Sequence, residues 1–356
     1  MSSAPTTPSW RRRWAPVAGA LALGAAGGAL FVLLGLPLPW MLGAMAATTV
    51  ASLAGLRIAL PLRLRGPMVG VLGVMLGSAF TPEVLRGAAL WLPSLAALPL
   101  YIALAGGMIL LYFRRFTALD PVSAYFSATP GGLSEMVIVG DRMGGDVRTI
   151  ALAHSVRVLL VIFLVPFVAS WFDPAVADRG VLPAGPPLAA GEVVVLLLAA
   201  LAGLLAATWL RLPAGVLLGP MLGSAAVHLA GWVHGPPPSL LVAVAQVVIG
   251  ASVGVRFAGV SLIQIARMLG LGVGSTTVML AISLVFGFAL HGLTGLPLAA
   301  LLLAFIPGGL AEMSLVALAM HTDPAFVATH HIARIFLVVS FAPLIFRWLA
   351  RPAPPA

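Results

Sequence analysis

Apolar residues do not alternate with polar ones along this chain; they run together in long blocks. No charged residue stands between Arg13 and Arg57, between Arg211 and Arg256, or between Arg267 and Glu312, and only Arg86 interrupts the run from Leu85 to Arg114. One helical crossing of a bilayer takes roughly 20 apolar residues. Each long block therefore predicts two helices, with turns at Gly35-Leu36-Pro37, from Gly231-Trp232 to Pro238, and from His291 to Pro297. Each half of the chain offers six such segments, in the first half at about 14–35, 38–56, 66–80, 88–113, 120–140 and 149–172. A transmembrane barrel would need short segments alternating apolar and polar, and these runs are apolar on every side. The expected fold class is an all-α polytopic membrane protein.

Composition agrees. The chain has 356 residues, of which 61% are hydrophobic and 8% charged, against about 25% charged in soluble domains. So few charges could not cover a water-facing surface. There are 39 glycines and 29 prolines, which weaken helices in water but are tolerated where neighbouring helices or cavities satisfy the backbone. With no cysteine, disulfides, thiol nucleophiles and Cys-ligated metals are excluded. The net charge of +9 is carried by arginine alone. No basic segment interleaved with aromatics is present, so the arginines are expected to anchor short loops and nucleic acid is not an expected partner. Arg11, Arg12 and Arg13 precede an apolar run as in a signal peptide. That run leads straight into a second span, which predicts an uncleaved first span.

The chain repeats itself. Pro130-Gly131-Gly132-Leu133-Ser134-Glu135-Met136 returns as Pro307-Gly308-Gly309-Leu310-Ala311-Glu312-Met313, an offset of 177 (307 − 130). At that offset Asp146 meets Asp323, His154 meets His331, Arg157 meets Arg334 and Pro166 meets Pro343. Between 128 and 166, 15 of 39 positions are identical, and the charged matches carry the weight because charges are so rare here. Gly73, Gly77 and Phe80 match Gly250, Gly254 and Phe257; Leu36-Pro37, Leu42-Gly43 and Met45 match Leu212-Pro213, Leu218-Gly219 and Met221 at an offset of 176. The organisation predicted is a first membrane repeat at 1–172, a linker at 173–190 and a second repeat at 191–356. If all twelve segments cross, the halves are parallel. If each Pro-Gly-Gly segment enters and leaves by one face, about ten crossings remain and the halves are inverted. Inversion leaves only Arg86 and Arg179 on the outer face, with Arg157 and Arg334 inside spans, so the positive-inside rule prefers it. Inverted repeats with interrupted helices are a secondary-transporter design.

The repeated residues are the candidate chemistry. Proline and two glycines in the middle of an apolar segment predict an unwound break followed by a new helix, whose free N–H groups carry partial positive charge; a plain packing kink is the blander alternative. Pro130, Gly131, Gly132, Pro307, Gly308 and Gly309 are thus candidate substrate-binding residues. Glu135 and Glu312 are intramembrane carboxylates, costly and functional by default, and candidate proton carriers or else structural partners of an arginine. His154 and Arg157, like His331 and Arg334, are three apart and share a helix face. The arginines could hold an anionic solute or pair with the glutamates, or snorkel as anchors. The histidines could relay protons or merely pack. A metal site would have to draw on Glu312, His321, His330 and His331. The first half supplies only Glu135 and His154 at matching places, with Ala153 and Gly144 opposite His330 and His321, so no metal or other cofactor is expected. Asp146 and Asp323 are expected to cap the helices that follow, and the glycines near 73 and 250 to serve close helix packing.

The duplicated Pro-Gly-Gly-Leu-x-Glu-Met motif, the following His-x-x-Arg, and the Leu-Pro-x-x-x-x-Leu-Gly element resemble the membrane AbrB-duplication family along nearly the whole chain. Members are labelled as transcriptional regulators or as ammonia monooxygenases. The resemblance implies the duplicated membrane architecture. Three functions are weighed: a non-enzymatic, proton-coupled secondary transporter of a small polar or anionic solute; a membrane sensor acting on gene expression through another protein; and a metal-dependent membrane oxidoreductase. The expected setting is the cell inner membrane as a multi-pass protein, with the lipid bilayer and a small solute as partners and a homodimer compatible with the architecture.

Overall fold

The computed structural model describes residues 10–172, 188–260, 262–320 and 322–349. The architecture is all-helical, and no strand occurs among the described residues. The first half contains α1 (Trp10–Leu33), α2 (Pro39–Leu53), α3 (Leu62–Gly77), the short α4 (Pro82–Gly87) leading through one 3-10 turn into α5 (Leu92–Phe116), α6 (Pro121–Ala128), α7 (Leu133–Arg142) and α8 (Val147–Phe172). The second half contains α9 (Ala190–Trp209), α10 (Gly215–Leu229), α11 (Ser239–Gly254), α12 (Leu262–Thr294), α13 (Leu298–Phe305), α14 (Leu310–Ala319) and α15 (Pro324–Leu349). Seven helical stretches among the described residues are long and apolar enough to cross a membrane. The expected linker lies mostly outside the described residues, and α9 begins one position inside it.

Local chemistry sets the boundaries. Proline opens α2, α4 and α6, where its missing N–H costs nothing. Gly55 and Gly231 close α2 and α10 at φ +77° and +70°, a conformation that disfavours any Cβ. In both places the following residue bonds back to the helix, Leu56 N–H to Ala51 O and Trp232 N–H to Val227 O, each at 3.0 Å. The residue after each Leu-Pro, Leu38 and Ala214, adopts a left-handed conformation at φ 45° and 52°, so the local backbone repeats along with the sequence.

The helices form two bundles, and each bundle mixes the halves. In the first, α1 packs on α2 and α9 on α10, while α3 packs on α10 and α11 on α2. The packing is backbone to backbone. A Cβ on Gly73 or Gly77 would strike the carbonyls of Leu217 and Met221, and one on Gly250 would strike that of Met41. Dispersion across such close approaches substitutes for the hydrophobic drive that lipid removes. The second bundle holds α5 to α8 and α12 to α15 around an aromatic centre, where Tyr101 packs edge-on against Phe286 and Phe305. Large apolar side chains are exposed on the outside, among them Leu197, Leu198, Leu201 and Leu205 of α9, as expected of surfaces that meet lipid rather than water.

Candidate functional site

Each Pro-Gly-Gly lies in a four-residue gap between short helices. Thr129 to Gly132 separates α6 from α7, and Ile306 to Gly309 separates α13 from α14. The backbone there is extended (Thr129 ψ 128°, Gly132 ψ 140°, Ile306 ψ 132°, Gly309 ψ 148°). In the first half the segment doubles back: Asp146 N–H donates to Ser123 Oγ at 2.7 Å, and Gly140 faces Phe126. The end of α7 thus lies beside the start of α6, and the break is the tip of a helical hairpin. At 8 and 10 residues the two arms reach about 12 and 15 Å, half a bilayer core.

The motif residues explain one another. None of the four glycines has a positive φ, so backbone freedom is not what they supply. A Cβ on Gly132 or Gly309 would instead collide with the carboxylate of Glu135 or Glu312, and one on Gly131 or Gly308 with the side chain of Met136 or Met313. Each glutamate occupies the third helical position and folds its carboxylate over the glycine that caps α7 or α14. There it offsets the partial positive charge of the helix end. Each methionine, fully buried, tucks under the first glycine.

The next helix grips the tip. Arg334 on α15 donates to Ile306 O at 3.2 Å, to Gly308 O at 2.9 Å and to His331 Nδ1 at 2.7 Å. Arg157 on α8 donates to His154 Nδ1 and to Thr129 O at 3.5 Å, with Met279 Sδ 3.8 Å from its Nη1. With Nδ1 accepting, each histidine carries its proton on Nε2 and donates it to a backbone carbonyl, His154 to Phe126 O at 2.9 Å and His331 to Leu303 O at 3.0 Å. Both ring nitrogens are therefore occupied in orienting an arginine. Asp146 and Asp323 accept backbone N–H groups at the starts of α8 and α15.

The two tips meet at a cavity of about 370 Å³ between the bundles. Of the residues singled out from sequence, Gly131, Gly132, Pro307, Gly308, Gly309, Glu135, Glu312, Arg157 and Arg334 line it. Pro130 faces a separate apolar groove beside Thr129 and Phe341. His154 and His331 stand behind their arginines and do not line the cavity. Their ring nitrogens engage an arginine and a backbone carbonyl rather than the cavity. Neither arginine forms an ion pair with Glu135 or Glu312 among the described residues; the arginine whose charge Glu312 offsets is Arg256. Arg157 and Arg334 are 4% and 3% exposed, and their Nε–H groups have no partner in the protein. Of the metal candidates, His330 is bonded to Ser94 Oγ and Phe326 O, each at 2.8 Å, His331 is committed as described, and His321 lies outside the described residues.

The cavity also contains residues that the repeat could not flag: Arg65 from α3, Arg256 just after α11, and Ala214 to Leu217 at the start of α10. Arg65 and Arg256 face positions 242 and 79 at the repeat offset, occupied by Val242 and Ala79. With no counterpart they looked like loop anchors. Val242 and Ala79 line a second cavity of about 230 Å³ with Met75, Leu76 and Ser239. The first cavity thus meets the start of α3 and the end of α11, and the second meets the end of α3 and the start of α11. The two helices pack together and are equivalent in the repeat, yet they run antiparallel.

Fold and site define a multi-helix membrane-type protein whose duplicated broken helices meet at an arginine-rich cavity. A family model described as Transition state regulatory protein AbrB matches residues 40–350, and the chain belongs to this AbrB family. It is 28% identical to a Bacillus subtilis (strain 168) protein named "Uncharacterized protein YhjN", over 92% of both chains. It is 27% identical to "Putative regulator AbrB" of Escherichia coli (strain K12), over 91% of this chain and 93% of that one.

Proposed function

We propose that this chain is a secondary transporter of a small anionic solute, bound where the two Pro-Gly-Gly tips meet and coupled to protons through Glu135 and Glu312. The observation that carries this is the pair of buried guanidiniums, Arg157 and Arg334, lining the cavity with unpaired Nε–H groups. A buried guanidinium with an unmatched donor is costly, and an anion in the cavity offsets its charge. Two helix starts, those of α7 and α14, face the same space, and protonation of Glu135 or Glu312 would free their positive ends for an anion. The antiparallel run of α3 and α11 supports inverted repeats, and the hairpin of α6 and α7 supports an arrangement with about ten crossings. In such transporters one structural unit rocks against the other around a fixed site; here the cavity sits between the bundles. The solute is carried and not chemically converted, the setting is the inner membrane, and no cofactor is required.

A second reading has one observation in its favour, the printed name of the Escherichia coli relative. The same cavity would then sense its anion and act on expression through another protein. Proteoliposomes test the first reading. Proton movement is followed against a panel of small carboxylates, amines and ammonium, in wild type and in Glu135→Gln/Glu312→Gln. The expected result is solute-dependent proton flux that the double variant lacks. Folded wild-type protein that moves protons with no solute on the panel would transfer the weight to the sensor.

A further inference from the structure

Besides Arg157 and Arg334, the cavity holds a second pair of guanidiniums, and the two pairs differ in placement. Arg157 and Arg334 are deeply buried and repel one another electrostatically. Arg65 and Arg256 are partly exposed and repel one another likewise. Glu312 offsets part of the charge of Arg256. Arg65 has no carboxylate partner among the described residues, and its Nε–H is buried without an acceptor. Like charges held together at low dielectric are expensive unless something of opposite charge lies near both. Four arginines against two glutamates leave 4 − 2 = 2 positive charges with both carboxylates ionised, and a single monoanion would leave one of them uncompensated.

We propose that Arg65 and Arg256 form a second anion subsite, so that the solute carries two anionic groups, as a short dicarboxylate does, one held by Arg157 and Arg334 and the other by Arg65 and Arg256. This rests on the anion reading of the cavity given above and names the solute class. The subsite is one-sided. At the repeat-equivalent positions, in the cavity at the far ends of α3 and α11, stand Val242 and Ala79. The outer pair sets solute valence and the inner pair, which also holds the tips, sets affinity for a single carboxylate.

The repeat itself names the substitutions that remove the subsite: Arg65→Val and Arg256→Ala. Binding is measured by calorimetry on the full-length protein in nanodiscs. Malonate, succinate and glutarate are each compared with the monocarboxylate of equal carbon number: propionate, butyrate and valerate. The best dicarboxylate should bind wild type about tenfold or more tighter than its monocarboxylate, the increment of one charge-assisted contact. Either variant should reduce that advantage to within about threefold, weakening dicarboxylate binding far more than monocarboxylate binding, and Arg256→Lys should restore part of it. Retained monocarboxylate binding reports that the variants are folded. A wild type that binds both classes equally, or an advantage that survives both variants, overturns the second subsite and leaves the anion reading standing. A wild type that binds neither class overturns both.

Discussion

The two Pro-Gly-Gly tips share a motif but not a setting. Around the second, every residue of α14 from Leu310 to Ala317 is buried, Glu312 is 8% exposed, and Arg334 holds the tip through two carbonyl contacts of ordinary length. Around the first, α7 buries only Met136 and Gly140, Glu135 is half-buried, and Arg157 reaches its single carbonyl at 3.5 Å. Duplication preserved the chemistry while the protein enclosed one copy and left the other at its edge. Local stability follows buried contacts and hydrogen bonds, so the first tip is expected to open more readily than the second.

Removing the arginines should break this contrast most sharply. Arg334→Ala leaves the Gly308 carbonyl and His331 Nδ1 without their donor, and Ile306 O with only the Gly308 N–H; it should cost about 3 kcal/mol, whereas Arg157→Ala should cost about 1–2 kcal/mol. Thermal unfolding in one detergent, with both variants side by side, measures the gap; equal losses would mean that the tips are equally held. Glycine substitutions come next. Gly309→Ala forces its Cβ against the carboxylate of the buried Glu312 and should cost about 1–3 kcal/mol. In Gly132→Ala the half-buried Glu135 can swing aside, for a loss under about 1 kcal/mol. On the transporter reading proposed above, solute flux should follow the same order. The smallest effect sharpens the comparison by vanishing. Met136 and Met313 are both fully buried under their glycines, so Met136→Leu and Met313→Leu should each cost less than about 1.5 kcal/mol, with no difference between them in the same unfolding assay. A large difference there would show that the asymmetry reaches beneath the tips.

Much of this site could be read from sequence because its residues are rare and recur. Pro130, Glu135, Arg157 and their counterparts stand out in a chain with few charges, and nine of the twelve residues singled out do line one cavity. The same filter was blind to Arg65 and Arg256, which face Val242 and Ala79 in the other repeat and look like any loop anchor. It could not place the histidines: recurrence marks a residue as needed but does not separate one that lines a cavity from one that orients its neighbour. The glycines of the motif were legible as a break but not in their reason, since the fold of Glu135 and Met136 over them is a matter of side-chain geometry. The helical class followed from the apolar blocks. The exchange of partners between halves did not, because α3 and α10 recognise each other through glycine and backbone, which carry no distinctive letters.

That exchange has a consequence for how the protein is made. Gly73 of α3 lies against the carbonyl of Leu217, 217 − 73 = 144 residues further along the chain. At a synthesis rate of about 5–20 residues per second, α3 waits in the bilayer for about 7–29 s before its partner emerges from the ribosome. During that interval its glycine-lined face is open to lipid or to another nascent copy. Neither bundle can close until the second half is made, and a chain that stops between the halves has no complete bundle.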